Sequence, residues 1–269
     1  MPLNRSKSAW TAHREFSRQG MSIMKSQIGM PLWSIALVLF CVGQVRAETI
    51  EDVKQKIHAK VSSYKSLEYK AIYTIEVNMP QMSMKSTTEQ TAQYVNKGEK
   101  VLGRLETTTK SEQKMGDQAS KTETKSVDIS DGQFAYSVAE TDGTKSASKR
   151  KADLTKDLSP FNAQALFKLM EEQFTIKLLP DETVDGKAAW VVEMRSKNPA
   201  ELAVVGRTLS YYDKETGIGI KSMSFDASGK PTTTSMTKDI KINSTISPDR
   251  FIFKAPPGVN VVDTTVPGK

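Results

Sequence analysis

Few side chains in this chain are equipped for covalent or acid–base chemistry. Of its two histidines only His58 lies beyond residue 47, and the single cysteine, Cys41, sits in an apolar run near the start. A Ser–His–acid triad would have to use His58, which the spacing puts on the solvated side of a helix. Glu171 and Glu172 are neighbours in a second helical pattern and point to different sides, a poor arrangement for a carboxylate pair. No cluster of His, Asp and Glu has metal-ligand spacing. The expectation is a protein that is not an enzyme and uses no metal or cofactor. The basic triplet Lys149, Arg150, Lys151, within a connector read as irregular from Lys145 to Lys156, fits a solvated loop or a dock for anionic lipid or an acidic partner.

The elements that would position any site begin after a leader. Arg5, Lys7, Arg14, Arg18 and Lys25 precede the apolar run Leu32 to Gly43 and the residues Val45-Arg46-Ala47, the order of a secretory signal peptide. The run is about 12 residues, short of the ~20 a spanning helix needs. Residues 1–47 are read as the signal peptide, with Met21 or Met24 as alternative starts, and 48–269 as one domain. Phe40 before Cys41 is wrong for a lipidation signal. Without the leader the chain holds 32 basic and 30 acidic residues, a net of +2, so the basic balance is no argument for nucleic acid. It also holds no cysteine, and must be held by its core.

Thr49 caps a predicted helix from Ile50 to about Tyr64, with Ile50, Val53, Ile57, Val61 and Tyr64 as its apolar stripe. In Ser66 to Met79, Leu67, Tyr69, Ala71, Tyr73, Ile75 and Val77 alternate with mostly polar residues, which predicts a strand of roughly 40 Å. The methionine-rich Asn78 to Met84 is expected to turn the chain. Further strands are expected over Thr87 to Val95, Val101 to Lys110, Lys121 to Ile129 and Phe134 to Ala139, joined by short turns. Ser159-Pro160 is read as a helix start, and the residues from Phe161 to Phe174 are apolar over much of the helix circumference, as core or as a lid. Thr175 to Leu179, Ala188 to Ser196, Arg207 to Tyr212, Ile218 to Phe225, Thr232 to Asn243 and Arg250 to Lys254 read as strands, with a bulge near Ser222. Strands in succession with two helices predict an α+β, mainly β chain: one antiparallel sheet with helices on one side.

Three local patterns resemble the LolA-like family of periplasmic carriers of outer-membrane lipoproteins. They are D-V-K-Q-K-I with V-S-S-Y (Asp52 to Ile57, Val61 to Tyr64), S-D-G-Q-F-A-Y (Ser130 to Tyr136) and D-R-F-I-F-K-A-P-P-G-V-N-V-V-D (Asp249 to Asp263). With the turn Asp213 to Gly217 they cover nearly all of residues 49–263. The resemblance implies an incomplete, strongly curved β-barrel whose concave face is covered by helices. It implies a monomer that shelters lipoprotein acyl chains or phospholipid, loaded by an inner-membrane transporter complex and unloaded by an outer-membrane acceptor, with no nucleic acid involved.

Under that reading the cavity is expected to be lined by Tyr69, Tyr73, Ile75, Phe134, Phe167, Met170, Trp190, Met194, Met223 and Phe253. The family's lid arginine follows its second strand; here Lys97 holds the matching position, with Arg104 as a nearby substitute. Lysine is a point charge and not a fork. Ser86 to Ser130 is more polar than a lipid-lining stretch of that family. The alternative is an envelope lipid or lipoprotein sensor, or a protein-interaction module of the same fold, with Lys149, Arg150 and Lys151 at the contact.

Overall fold

The computed structural model describes residues 47–79, 81–152 and 159–265. The expected signal peptide lies outside the described residues, apart from Ala47. Helix α1 (Ile50–Ser62) starts at a capping box: the Asp52 amide donates to Thr49 Oγ1 at 3.2 Å, and the Thr49 amide donates to Asp52 Oδ2 at 2.9 Å. Its stripe Val53, Ile57 and Val61 is buried, as the spacing requires.

Six strands then form a meander: β1 (Ser66–Met79), β2 (Met82–Asn96), β3 (Val101–Met115), β4 (Gln118–Ser130), β5 (Phe134–Thr141) and β6 (Thr144–Lys151). Helix α2 (Ala163–Gln173) leads into β7 (Phe174–Val184) and β8 (Lys187–Ser196). A short α3 (Pro199–Val204) precedes β9 (Arg207–Asp213), β10 (Gly219–Phe225) and β11 (Pro231–Ile242). A 3-10 turn, Pro248–Phe251, and β12 (Val261–Asp263) complete the described chain.

All twelve strands make one sheet in the order β12-β6-β5-β4-β3-β2-β1-β11-β10-β9-β8-β7. Every pair is antiparallel except β12 with β6. The sheet is open, with β12 and β7 at its edges, and register shifts in β1, β7 and β10 bend it. Its two halves are sequential hairpins joined by one long-range ladder, in which Leu67 faces Ile242.

Several expectations are corrected. Met79 pairs with Met82, so the chain reverses between β1 and β2 in far fewer residues than Asn78 to Met84. The basic connector is largely strand: Asp142-Gly143 forms a tight turn with both residues at positive φ, and β6 then pairs with β5 along its whole length. The hairpin ladder outweighs a composition poor in strand formers; the remainder, 153–158, lies outside the described residues. Helix α2 begins at Ala163, capped by Asn162, whose side chain accepts from the Ala165 amide, and not at Ser159-Pro160. Arg250 to Lys254 joins no ladder, because Pro248 opens a 3-10 turn there and the chain then runs on extended. The bulge expected near Ser222 is present: the register shifts at Ile220, between the Gly219–Tyr212 and Lys221–Tyr211 pairs, and again between Ser224 and Phe225. Helix α3, started by Asn198-Pro199, was not expected at all.

Strand phase separates two faces. One carries Leu67, Tyr69, Trp190, Val192, Met194 and Tyr212, and packs under Val53, Ile57 and Val61 of α1 and Ala163 and Phe167 of α2. The other carries a smaller cluster, Val184, Ala189, Val191, Leu209, Tyr211 and Ile220. The segment after residue 247 runs along this outer face: Arg250 donates to Gln93 and Glu106, and Phe253 stacks on Tyr136 at 4.5 Å.

Candidate functional site

The helix-covered face is not filled. A cavity of about 280 Å³ lies beneath α1 and α2, walled by Ile57, Val61, Leu67, Tyr69, Tyr73 and Phe167, with the Ser210, Ser222, Ser235 and Thr237 positions of β9 to β11 as its floor. A second, also about 280 Å³, lies beside it over β3 to β6. Tyr94, Gly103, Leu105, Asp128, Ser130 and Ser148 are among its lining residues. Pro160, just ahead of α2, borders both. An open pocket of about 640 Å³ lies under α3, lined by Phe174, Met194, Ala200 and Val205.

Tyr69 and Tyr94 stand side by side where the first two cavities meet, their rings stacked with centroids 6.4 Å apart. Burial is the main reason both phenols are pushed above the ordinary tyrosine range, and the neighbouring tyrosines add to it for Tyr69. Both rings stay neutral at any physiological pH, so this junction presents aromatic surface without charge. Gly103 makes room for the Tyr94 ring; a Cβ there would meet Tyr94 Cδ1 at 3.2 Å. Tyr212, buried against Phe167, is pushed up to about 12 by burial.

Helices α1 and α2 are tied over the first cavity by charge. Lys54, almost fully buried, bridges to Glu171 on α2 and to Glu51 at 2.7 Å. Lys197 donates to the Glu171 carbonyl at 2.6 Å, capping the end of α2. This Lys54–Glu171 bridge was missed because nothing in the sequence pairs residues so far apart.

The structure brings some of the expected cavity residues together and separates others. Tyr69, Tyr73 and Phe167 line the first cavity, and Met194 lines the pocket under α3. Met170 and Trp190 pack in the core beside them. The Trp190 indole N–H donates to Glu48 at 2.8 Å. Ile75 lies on the same face farther along β1, opposite Ser86 and Thr233. Phe134, Met223 and Phe253 lie on the outer face. Phe134 is one residue out of phase with Ala135, Met223 pairs with Leu209, and Phe253 stacks on Tyr136.

The charged candidates divide in the same way. Lys97 is exposed in the β2–β3 turn. Arg104 is on the outer face, donating to Glu106 at 2.7 Å and to the Arg250 carbonyl at 3.4 Å. It therefore secures the C-terminal segment and does not reach the helices. Lys149 and Lys151 point outward; Lys149 lies over the Phe134 ring at 4.2 Å and bridges Asp263 at 3.3 Å. Arg150 alone of the triplet faces the second cavity. Asp128 was missed too. Its phase, two residues from Ser126 and Ser130 in β4, is the signal that could have found it.

Among the described residues no group of three His, Cys, Asp or Glu side chains converges, and no helix is long and apolar enough to cross a membrane. No protein-family model and no curated protein matches the sequence. Several solved structures are similar to this chain at low identity. They include a putative outer membrane lipoprotein-sorting protein domain from Vibrio parahaemolyticus, at 11% identity, covering 74% of this chain and 94% of that one, with a TM-score of 0.34. MucB is similar at 15% identity and a TM-score of 0.42, covering 76% of this chain; this chain spans 62% of MucB. A LolA superfamily protein from Nitrosomonas europaea is similar at 10% identity and a TM-score of 0.27, covering 77% of this chain and 99% of that one. These likenesses are loose, and the functional reading rests on the chain's own motifs and cavities.

Proposed function

We propose that this protein is a non-catalytic periplasmic carrier that shelters acyl chains of a lipid or lipoprotein between its helices and sheet and passes them toward the outer membrane. The observation that carries this reading is the unfilled apolar space under α1 and α2, walled by Ile57, Val61, Leu67, Tyr69, Tyr73 and Phe167. A half-open cleft of this size, apolar on its walls and roofed by two amphipathic helices, suits a guest. Each methylene moved from water into it gains about 0.8 kcal/mol, so retention needs few polar contacts. The motif resemblance points to the same cargo class.

The experiment is mass spectrometry of an organic extract of the protein purified from the periplasm under non-denaturing conditions. Stoichiometric acylated peptide or phospholipid is expected. Phe167→Glu with Met170→Glu should abolish it; lipid still copurifying with that variant would remove α2 from the reading. One observation favours the alternative, an envelope sensor or interaction module of the same fold: each of the two adjoining cavities falls just below the roughly 300–1,000 Å³ of usual ligand pockets. A protein that stays empty after incubation with lipoprotein-loaded membranes would establish that alternative over the carrier.

A further inference from the structure

The methionine-rich stretch of the sequence plays no part in the cavities. Its strand positions close the far end of the β1–β4 ribbon, six residues beyond Tyr73 and so about 20 Å along β1 from the cavity wall. The last register row there runs Met79, Met82, Met115, Gln118, and the row before it Val77, Met84, Gln113, Ser120. Residues directly opposite in antiparallel strands share a face, and so do residues two apart along one strand. Met82, Met84 and Met115 therefore stand on one face. Nearer the helices the same phase carries the Ser86–Ser111 and Thr88–Thr109 hydroxyl pairs. Packing does not account for the change from hydroxyl to thioether. Met115 is 57% exposed, Met82 and Met84 are partly exposed, and none of the three joins the two apolar clusters of the sheet.

The backbone beneath them is tied. The Gly116 amide donates to the Gln81 carbonyl at 3.1 Å, which links the β3–β4 tip to the β1–β2 tip. Met82 Sδ accepts from Gln113 Nε2 at 3.8 Å, and Gln113 is the register partner of Met84. The Met82 sulfur thus leans from its own row toward that of Met84. Opposite residues are about 5 Å apart at Cβ, and neighbours on one face of a strand about 7 Å. Three flexible thioether chains on such a base can bring their sulfurs to one point. The face around them is neutral: Lys85, Glu112 and Lys114 of these strand ends fall on the opposite phase.

We infer that Met82, Met84 and Met115 form a thioether site for a soft monovalent metal ion, Cu(I). Donor chemistry selects the ion. Thioether sulfur is neutral and polarizable, a class of ligand that suits Cu(I), whereas Zn(II) and Mg(II) take imidazole, carboxylate or water oxygen. The two rows contain no histidine, cysteine or carboxylate, so a hard or borderline divalent ion meets no partner there. A single positive charge needs no anionic ligand to balance it, and no lysine on this face repels it. The site is separate from the acyl-chain cavity and stands whether or not the protein is a carrier.

The test uses Ag(I), a soft monovalent probe that air does not oxidise, titrated calorimetrically into the purified protein in chloride-free buffer. Cu(I) is then measured without oxygen by competition with a coloured chelator. One ion per chain is expected for each. Met115→Leu should weaken binding by about tenfold or more, and Met82→Leu, Met84→Leu and Met115→Leu together should abolish it. Leucine keeps the apolar bulk, and an unchanged urea midpoint shows that the variants fold. A second measurement needs no variant: brief peroxide treatment converts accessible methionines to sulfoxide, and Ag(I) should slow this at Met82, Met84 and Met115 while Met223 reacts at its metal-free rate. Zn(II) should give no such protection. An unaltered protein that binds neither ion, a triple variant that binds Ag(I) as tightly as the unaltered chain, or sulfoxide formation at the three methionines that Ag(I) does not slow each overturns the site.

Discussion

The two halves of the sheet obey different rules. In β8 and β9 both faces carry apolar clusters. Trp190, Val192 and Met194 point under the helices, and Val191, Leu209 and Tyr211 point the other way. From β2 to β5, beyond the helices, one face carries paired hydroxyls and the other carries charge. Ser86 meets Ser111 at 2.9 Å, Thr88 meets Thr109 at 3.0 Å, and Thr124 meets Thr141 at 3.2 Å. Outside, Lys121 pairs with Glu112 at 2.6 Å and Lys85 with Glu76 at 3.2 Å. The comparison teaches that side-chain packing holds the first half, whereas long backbone ladders with β-branched residues hold the second. The candidate cavities lie between these halves and the helices, where neither rule fills the space.

The largest expected effect is therefore on the packed side. Ile57→Ala, at a nearly fully buried position, should cost about 2–5 kcal/mol of stability. Urea unfolding measures it, and a loss below 1 kcal/mol, on the order of a surface change, would mean that α1 is not part of the core.

Next comes the tie between the helices. Lys54→Met should loosen α2 and cost about 1–2 kcal/mol, because its partner Glu171 is half-exposed and keeps its solvation. Hydrogen exchange should quicken across Ala163–Gln173 more than across β8. Uniform quickening would show that the bridge supports the whole fold and not the cover alone.

A third test concerns the outer face. The Arg104 guanidinium, joined by Arg250, holds the Glu106 carboxyl below the ordinary glutamate range. A depressed carboxylate contributes stability that is present above its unfolded value, here ordinarily 4.5, and is lost as pH falls through the lower folded value. Acidification below 4.5 should release the 3-10 turn Pro248–Phe251 to limited proteolysis before the core opens. Glu106→Gln should make that region sensitive already at neutral pH; a turn equally protected at every pH would dismiss the network as ornament on the surface.

The smallest effect belongs to the hydroxyl face. Thr109→Val exchanges one cross-strand hydroxyl pair for apolar surface on a strand-favouring residue, and should change stability by less than about 1 kcal/mol. A loss comparable to that of Ile57→Ala would erase the contrast between the halves.

What could be read from the sequence tracks these rules. Helix α1 and strand β1 are announced by a cap and by clean periods, and β1 matches its predicted span, Ser66–Met79. Strand β6 was hidden because three basic residues in a row resemble a solvated loop; only the ladder with β5 makes them a strand. Tyr69, Tyr73 and Phe167 were legible because they share a phase with their buried neighbours. Phe134, Met223 and Phe253 were chosen for size, and size does not say which face a residue takes. Phase does, and a bulge such as that at Ile220 resets it. The Lys54–Glu171 tie needed three dimensions, since the contact of two helices far apart in the chain is a long-range fact.

The seam between β1 and β11 has a consequence for how the chain reaches this state. Each hairpin on either side can close locally and fast, but Leu67 must wait for Ile242, roughly 175 residues later, before its half of the sheet meets the other. Such distant pairing raises contact order and slows the final step. Until the seam closes, both halves have β1 or β11 as an unpaired edge. This is the interval in which a newly made chain is most open to joining strands with a second copy, and in which a chaperone would matter most.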